Sequence, residues 1–370
     1  MEMKKNVIFD ARFLAQNKPS GIRRDSEALF KAFQENEWSV QLLRYKGMDD
    51  NAKEFRLATN ISSNETLTAV TAKSMLYKSN LVIPESNSEC FFLSQISPIR
   101  VRTGTGPLPR IIRIHDLFPL TNPEWFTKRA RINFLAGLRS IGPTDTLMTN
   151  SKYTSNKLLE ILGKKIKLDQ VVTVSCEVPN FEKSTACKSC EMCVSSTELK
   201  NYILAVGTIE PRKNYLRMIQ AWDASLLHKN DFKFVIVGKQ GWKAKFLFNK
   251  IKSTNGVVHL SYVCDYQLHI LYANCLTFIS ASLDEGFNIP LQEAQKNATR
   301  LIISDIPVHK EFVKVSNVNW IDPNSVDSIV SAINLVREGN GYHLNIPLPN
   351  SFEKDFERFT SLYVGRIKKI

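Results

Sequence analysis

Short runs of apolar residues alternate along the chain with longer segments whose apolar positions recur at helical spacing. This alternation predicts an α/β architecture with parallel sheets, because each helix carries the chain back to start another strand in the same direction. A first set of predicted strands comprises Val7–Phe9, Val40–Leu43, Leu81–Ile83, Ile111–Ile114, Thr146–Met148 and Val171–Val174. A second set comprises Tyr202–Val206, Phe232–Val237, Val257–Leu260, Leu276–Ile279, Leu301–Ile303 and Asn319–Ile321.

Two successive sets of this size predict two Rossmann-like domains, not one large sheet. Ligands of such folds bind at the carboxyl ends of the strands, so we expect the two domains to face each other across a cleft that holds the site. A polar, cysteine-bearing stretch separates the sets and is typical of a linker. The boundaries that follow are 1–180 for the N-terminal domain, 181–200 for the linker and 201–350 for the C-terminal domain.

Composition and charge narrow the function classes. The 370 residues are 43% hydrophobic and 23% charged, which excludes a disordered or fibrous chain. No apolar run reaches the length of a spanning helix, and the first one is too short for a signal peptide, so we expect a cytoplasmic protein. The net charge of +13 favours phosphorylated ligands or an anionic membrane surface. Its even spread disfavours nucleic acid as a partner.

One group of cysteines has the spacing of a metal site. Cys187, Cys190 and Cys193 follow a C-x2-C-x2-C pattern, which suits zinc or an iron–sulfur cluster. No fourth ligand lies close by in the sequence, and a solvated linker that carries reduced thiols is the favoured interpretation. Metal binding by this group stays open.

Two strand-to-helix turns carry glycine and cations. Gly21 and Ile22 open a predicted helix in front of two arginines, where backbone N–H groups can approach a phosphate. A plain helix N-terminus with solvated arginines fits that turn equally well. In the second half, Gly207 follows a strand, and Arg212 and Lys213 come just before a helix. A guanidinium fork beside an ammonium group makes an anion site, and the turn-fixing glycine and proline favour that interpretation.

Two further strand ends carry polar groups. His115 follows Ile111–Ile114, where it would donate a hydrogen bond to a substrate, although a structural role fits it equally well. After Leu276–Ile279, the loop that contains Glu285 leads into a helix that carries Glu293. Both carboxylates can point to the same site and accept hydrogen bonds from sugar hydroxyls, without forming a glycosidase acid–base pair.

These segments together resemble the retaining, nucleotide-sugar-dependent glycosyltransferases of family 4, which have the two-domain GT-B fold. The resemblance covers almost the whole chain. Within the family, the sequence is most similar to bacterial enzymes that build O-antigens or capsules, including GDP-mannose-dependent mannosyltransferases. Its strongest segments are VGTIEPRKN (206–214), DEGFNIPLQEA (284–294) and SDIPVHKEF (304–312). Supporting segments are SGIRR (20–24), RIHDLFPL (113–120) and TNSKYTS (149–155).

The resemblance implies roles for individual residues. His115, Arg212, Lys213 and Glu285 are the implied catalytic residues, with His115 facing the transferred sugar and Arg212 and Lys213 holding the donor diphosphate. The implied donor-binding residues are Gly21, Ile22, Gly207, Arg212, Lys213, Gly286, Phe287, Asn288 and Glu293, the last of which would bind the ribose. The resemblance also places the C-terminal helix, residues 351–370, on the first domain and implies catalysis without a metal or other cofactor.

Three features depart from the family pattern. Asn288 stands where the family has a second glycine, and asparagine tolerates left-handed backbone geometry better than most residues. Residues 297–300 replace the usual Gly–Thr/Ser–Pro turn, which puts nearby base contacts in doubt. The cysteine group is foreign to the family pattern.

The expected reaction moves a hexose, with mannose from GDP-mannose as the first choice, to a surface-polysaccharide glycan such as lipid-linked O-antigen. A UDP-sugar donor and a non-enzymatic basic binding protein on the same fold are the alternatives. A peripheral membrane contact is expected if the acceptor is linked to a lipid diphosphate. Residues 123–139 would supply it as a basic amphipathic helix, unless that helix packs on its domain with a solvated basic face.

Overall fold

A computed structural model describes residues 5–10, 21–47, 53–58, 80–82, 86–179, 181, 199–297, 300–314, 317–338 and 351–367. The chain divides into two compact units. Unit 1 comprises Met1–Pro123, Thr127–Glu177 and Asn350–Ile370, and unit 2 comprises Glu124–Phe126 and Val178–Pro349. The cysteine group at 187–193 lies outside the described residues.

Unit 1 is built on a seven-stranded sheet with a small three-stranded sheet beside it. Its strands are β1 (Asn6–Asp10), β2 (Ser39–Gly47), β3 (Lys53–Ala58), β4 (Asn80–Val82), β5 (Cys90–Leu93), β6 (Arg100–Thr103), β7 (Gly106–Pro107), β8 (Arg110–Ile114), β9 (Thr146–Thr149) and β10 (Val171–Thr173). The large sheet has the order β10-β9-β8-β5-β1-β2-β3 and is parallel except for β3, which pairs antiparallel with β2. The small sheet has the order β4-β6-β7.

The strand β5, which lies between β1 and β8 in the large sheet, was not predicted. One strand that was predicted for the main set, β4, belongs to the small sheet instead. All four residues of β5 are buried, and they pair on both sides with parallel neighbours. We expected the strand near Leu81 to join the first main set, but β4 pairs with β6 in the small sheet. A short apolar run fixes extended backbone without specifying its neighbour, so tertiary pairing decided both places.

Within the described residues, unit 1 has four α-helices before residue 177 and a fifth from the C-terminal part of the chain. The first four, in chain order, are α1 (Gly21–Glu35), α2 (Phe118–Thr121), α3 (Lys128–Ser140) and α4 (Lys152–Leu162). Thr127 and Ser151 cap α3 and α4, since each side-chain oxygen accepts the backbone N–H three residues on. These caps set where each helix begins.

Unit 2 has a wholly parallel six-stranded sheet of order β13-β12-β11-β14-β15-β16. Its strands are β11 (Tyr202–Val206), β12 (Lys233–Val237), β13 (Val257–Leu260), β14 (Thr277–Ser280), β15 (Leu301–Ser304) and β16 (Val318–Ile321). Its helices are α5 (Tyr215–Ser225), α6 (Lys245–Ser253), α7 (Asp265–Asn274), α8 (Ile289–Asn297), α9 (Pro307–Phe312) and α10 (Val326–Asn334). The strand order reverses between β11 and β14, and such a switch point is where doubly wound sheets bind ligands.

Both faces of this sheet are buried, which explains why its strands are continuous apolar runs. Ile203 and Ala205 of β11 lie in one core cluster, while Tyr202 and Leu204 lie in the other. A parallel strand covered by helices on both sides has no solvent face to alternate with. The α/β class with two Rossmann-like parallel sheets is confirmed.

The C-terminal helix α11 (Ser351–Ile367) packs in unit 1. Its Phe352, Phe356, Phe359 and Tyr363 are buried in the same cluster as Phe33 of α1. The rings of Phe33 and Phe356 meet edge to face at 5.0 Å. Of the helices in the described part of the chain, none combines the length and the apolar character that crossing a bilayer requires.

Candidate active site

Two loops of unit 2 meet at the switch point of its sheet. One follows β11 and ends in a 3-10 turn, Pro211–Lys213, before α5. The other runs from the end of β14 to the start of α8. They are joined directly, because Leu283 donates its backbone N–H to the Arg212 carbonyl at 2.9 Å and Asn214 Nδ2 donates to the Ala281 carbonyl at 2.9 Å. The predicted phosphate turn and the predicted sugar loop are therefore neighbours.

Gly207 is required by the shape of the first loop. Its φ of 146° lies in a region that favours glycine, and a Cβ there would stand 3.3 Å from Cε of Lys213. The side chain of Lys213 thus lies across the glycine. Tyr215 also stabilises this loop, because its hydroxyl donates a hydrogen bond to the Gly207 carbonyl at 2.9 Å.

Two cations and two carboxylates form a compact cluster on these loops. Arg212 binds Glu210 through Nη2, 2.7 Å from Oε1, and binds Glu285 Oε2 through Nη1. Lys213 Nζ lies 2.7 Å from the other oxygen of Glu285. The four formal charges sum to zero. The structure therefore brings together three predicted site residues and adds Glu210, to which sequence reasoning gave no role although it lies in the quoted segment 206–214.

Glu285 is held as an ionised carboxylate. Burial raises its pKa, but the nearby Arg212 and Lys213 outweigh that penalty and lower the pKa to about 2. Ser282 Oγ donates to Oε1 at 2.7 Å and supports the same state. At neutral pH, with both cations beside it, this group is a hydrogen-bond acceptor.

Asn288 adopts the left-handed geometry expected of it, with φ of 66°. Its Nδ2 donates to Ser280 Oγ at 3.0 Å and lies 2.9 Å from Nε2 of His309, which must accept. The other ring nitrogen, Nδ1, then donates to the Ser304 carbonyl at 2.9 Å. Burial lowers the pKa of His309 to about 4 and keeps the imidazole neutral. His309 is a further residue of the quoted segments that received no predicted role.

The remaining predicted residues of unit 2 lie on the same loop and helix. Gly286 and Phe287 are buried, and the Phe287 ring packs against Phe312 with centroids 4.5 Å apart. Glu293 on α8 is 2% exposed, and its Oε2 accepts the hydroxyl of Tyr272 at 2.8 Å. The contact with Tyr272 fixes one carboxylate oxygen of Glu293.

In unit 1, polar groups stand at the carboxyl ends of three adjacent strands. Asp10 ends β1, and its Oδ2 accepts from Ser94 Oγ, just after β5, at 3.3 Å. His115 follows β8, and its Nε2 lies 3.0 Å from the Ser94 carbonyl, which can only accept. Burial lowers the pKa of His115, and its other ring nitrogen, Nδ1, lies 3.9 Å from Oδ2 of Asp25. His115 thus lies at the carboxyl ends of β8 and β5, one strand away from the switch point between β5 and β1.

A buried ion pair supports this strand end. Arg113 of β8 forms two parallel bonds with Asp25 of α1, both at 2.8 Å, and donates to the Thr149 and Val174 carbonyls. Gly21 and Ile22 are the first two residues of α1, as the sequence predicted. The loop that precedes them, 11–20, lies outside the described residues.

The predicted amphipathic segment at residues 123–139 is not one continuous helix. It is a 3-10 turn, Pro123–Trp125, followed by α3 from Lys128. Trp125 is buried, Phe126 stacks on Trp242 at 5.6 Å, and Phe134 packs against a core cluster of unit 1. Its aromatic residues are therefore used inside the protein, which fits a packed helix with a solvated basic face.

Comparison with known proteins agrees with this geometry. Residues 194–367, which carry the charge cluster, match the family model described as "Glycosyl transferases group 1". Over these residues the chain is similar to the group 1 glycosyltransferases. The match supports the family resemblance that the sequence predicted.

Curated relatives carry mannosyltransferase names. The chain is 28% identical over 215 residues to the serotype-specific mannosyltransferase WbdA of Escherichia coli, which covers 54% of this chain and 26% of the relative. It is 26% identical over 232 residues to the O-antigen chain mannosyltransferase B of E. coli, covering 60% of each. It is 26% identical over 242 residues to the O-antigen chain mannosyltransferase RfbU of Salmonella typhimurium, covering 63% of each. The matches thus span less than two thirds of these relatives.

Solved structures support the fold across the whole chain. The sucrose-phosphate synthase of Thermosynechococcus elongatus matches with a TM-score of 0.63 at 11% identity, covering 99% of this chain and 98% of the other. Anabaena HepE, solved in complex with UDP and glucose, matches with a TM-score of 0.53 at 12% identity, covering 99% of both chains. At such identities the likeness concerns the fold, and the predicted GT-B class is confirmed.

Proposed function

We propose that this chain transfers a hexose from a nucleoside-diphosphate sugar to a hydroxyl of a growing surface-polysaccharide glycan. The observation that carries the proposal is the cluster of Arg212, Lys213 and Glu285 at the switch point of unit 2. Two adjacent cations suit a diphosphate, and an obligate carboxylate acceptor beside them suits sugar hydroxyls.

The charge balance of the cluster says how a donor would bind. Glu285 pairs with both Arg212 and Lys213, so a diphosphate must take over these cations while the Glu285 carboxylate turns to the sugar. Glu210 binds the other nitrogen of Arg212 and keeps the guanidinium in place during this exchange. The cations then stabilise the charge that develops on the leaving diphosphate.

The reaction balances without a protein nucleophile. The bond between the anomeric carbon and the diphosphate oxygen breaks, and a bond to the acceptor oxygen forms on the same face of the sugar, which retains configuration. The acceptor proton passes to the released diphosphate. We propose that Arg212 and Lys213 supply the electrophilic charge, so that no metal is needed. The roles implied for Gly21, Ile22, His115, Gly207 and Glu293 remain predictions.

Mannose from GDP-mannose is the proposed donor, supported by the mannosyltransferase names of the curated relatives. The O-antigen relatives support a glycan acceptor, and we propose that this acceptor is linked to a lipid diphosphate. The enzyme would then work in the cytoplasm against the inner face of the membrane. The surface predicted from the sequence for this contact is the exposed face of α3, which includes Lys128, Arg129 and Ile132.

The first test is binding of GDP, UDP, ADP and dTDP, each at the same concentration and without metal, followed by thermal unfolding. A ligand at 100 times its dissociation constant adds about 2.7 kcal/mol of stability. We expect GDP to give the largest shift, and a transfer assay with GDP-mannose and lipid-linked acceptor then follows. A shift with UDP alone would replace GDP-mannose with a UDP-sugar donor.

A non-enzymatic basic binding protein predicts a different outcome. It would bind polyanions in a salt-sensitive way, and no single nucleotide would shift its thermal unfolding more than the others. Failure of every nucleotide to shift the unfolding curve, with no turnover of either donor class, would contradict the proposed transfer.

A further inference from the structure

A second exposed surface in unit 2 combines lysines with aromatic side chains. It comprises the loop after β12 and the helix α6, residues 239–252, and we call it the α6 surface. Its lysines and its two exposed aromatic residues are Lys239, Trp242, Lys243, Lys245, Phe246, Lys250 and Lys252. This segment of the sequence contains five lysines and no acidic residue.

Phe246 is the most exposed large hydrophobic side chain in the described part of the chain, at 75%. It stands in the first turn of α6, whose opposite side is anchored by the buried Ile251. Trp242 is 40% exposed, and its indole N–H is already used, donating to the Trp125 carbonyl at 2.6 Å. What Trp242 offers to solvent is therefore apolar ring surface.

The lysines around these rings are only lightly neutralised. Lys239 and Lys245 are exposed, and Lys243 donates to the Glu124 carbonyl. Lys250 lies 3.8 Å from Asp223, which is the one ion pair on this surface within the described part of the chain. The surface keeps a positive excess after this pair is counted.

We propose that the α6 surface docks on an anionic phospholipid bilayer. Projecting aromatic rings flanked by lysines suit the lipid boundary, where rings enter the acyl region and ammonium groups stay among the headgroups. Each lysine near an anionic leaflet adds attraction that salt screens. In α3, by contrast, the single aromatic residue, Phe134, packs against a core cluster of unit 1. The inference goes beyond the transfer reaction and does not depend on it.

The test is co-sedimentation of the full chain with vesicles of phosphatidylcholine alone or with 30% phosphatidylglycerol at low salt. We expect binding to the anionic vesicles that is lost in high salt. Phe246→Ser should weaken the vesicle partition at least tenfold, since burial of a phenylalanine side chain supports a change of that size. Lys245→Glu should weaken it by a similar factor.

Trp320→Ser is the matched control. Trp320 is 42% exposed on β16, the edge strand opposite β13, against which α6 packs. This variant should bind like the unchanged chain, and all variants should keep their thermal unfolding and nucleotide shift. A second control, Ile132→Ser, tests α3.

Three results would overturn the proposal. One is no binding to anionic vesicles by the unchanged chain. Another is loss of binding in Ile132→Ser with full binding in Phe246→Ser, which would move the contact to α3. The third is a change in sedimentation of Phe246→Ser without lipid, which would make the surface a contact between copies of the chain.

Discussion

Each unit of this protein contains an arginine paired with a carboxylate at the carboxyl edge of its sheet, and the two pairs differ in how completely they are satisfied. Arg113 is fully buried, forms two bonds with Asp25 and donates to two carbonyls. Arg212 is 16% exposed and shares its guanidinium between Glu210, Glu285 and the Asp284 carbonyl. Glu285 is in turn shared between Arg212 and Lys213.

This difference distinguishes a structural ion pair from an ion pair whose partners can be exchanged when a ligand binds. Around Arg113 the partners come from α1, from β9 and from the residue that follows β10, so exchanging any of them would disturb the core. Around Arg212 both carboxylates and the lysine come from two loops, and the cations are reachable by solvent. A ligand with phosphate oxygens can replace Glu285 there without disturbing the sheet.

The largest expected effect comes from breaking the buried pair of unit 1. Asp25→Ala leaves the Arg113 charge without its partner and should lower the free energy of unfolding by roughly 3–5 kcal/mol. Urea denaturation followed by hydrogen exchange would locate the loss in unit 1. The double variant Asp25→Leu/Arg113→Met should recover most of the lost free energy of unfolding. An equal loss in the single and double variants would contradict an unpaired charge as the cause.

Lys213→Ala should leave the fold intact and abolish most transfer. Removing one donor that stabilises a developing charge costs roughly 3–4 kcal/mol in the barrier. The measurement is turnover with donor and acceptor, next to a thermal unfolding curve of the same sample. Near-normal turnover would sink the assignment of the cluster as the active site.

Glu285→Gln tests the comparison by removing the carboxylate charge that pairs with Arg212 and Lys213. With both cations less neutralised, free nucleoside diphosphate should bind about tenfold more tightly, which corresponds to about 1.4 kcal/mol, although transfer falls. Calorimetric titration measures the affinity. Glu210→Gln is the matched control: it should change affinity less, because it leaves Lys213 paired. Weaker binding by Glu285→Gln would show that the carboxylate does not compete with the ligand.

The smallest effect at neutral pH concerns His309. Its pKa of about 4 in the folded chain lies below the usual 6.5, so the unfolded chain binds the extra proton first as the pH falls. Stability from this group is complete above pH 6.5 and is lost between about 6.5 and 4. Glu285, with its pKa lowered to about 2, loses its contribution from about pH 4.5 downward.

His309→Asn should therefore flatten the dependence of unfolding free energy on pH in the upper window only. Unfolding curves at half-unit pH steps measure the slope. An unchanged slope between pH 6.5 and 4 would show that His309 is not the group that titrates there. Glu285→Gln is the comparison variant: it should flatten the lower window, and it should move the end of the upper window to lower pH, because the charge of Glu285 raises the pKa of His309.

The site was predictable from sequence where chemistry and spacing coincide within one loop. Gly207, Arg212 and Lys213 follow a strand and precede a helix, and only glycine fits the φ found at 207. Glu285 and Asn288 were found in the same way. Glu210, His309 and Asp25 received no role, because each matters through a contact with a residue far away in sequence or across a turn that periodicity does not describe.

By itself, the sequence determined the α/β class, the strands of unit 2 and the loops that carry charge, since parallel strands buried on both faces are continuous apolar runs that end at polar turns. Only the tertiary structure decided that β5 is central in unit 1, that β4 leaves the main sheet, and that Glu285 is ionised between two cations. These outcomes depend on which strands pair and which charges share a low-dielectric site, and both are properties of contacts between distant residues.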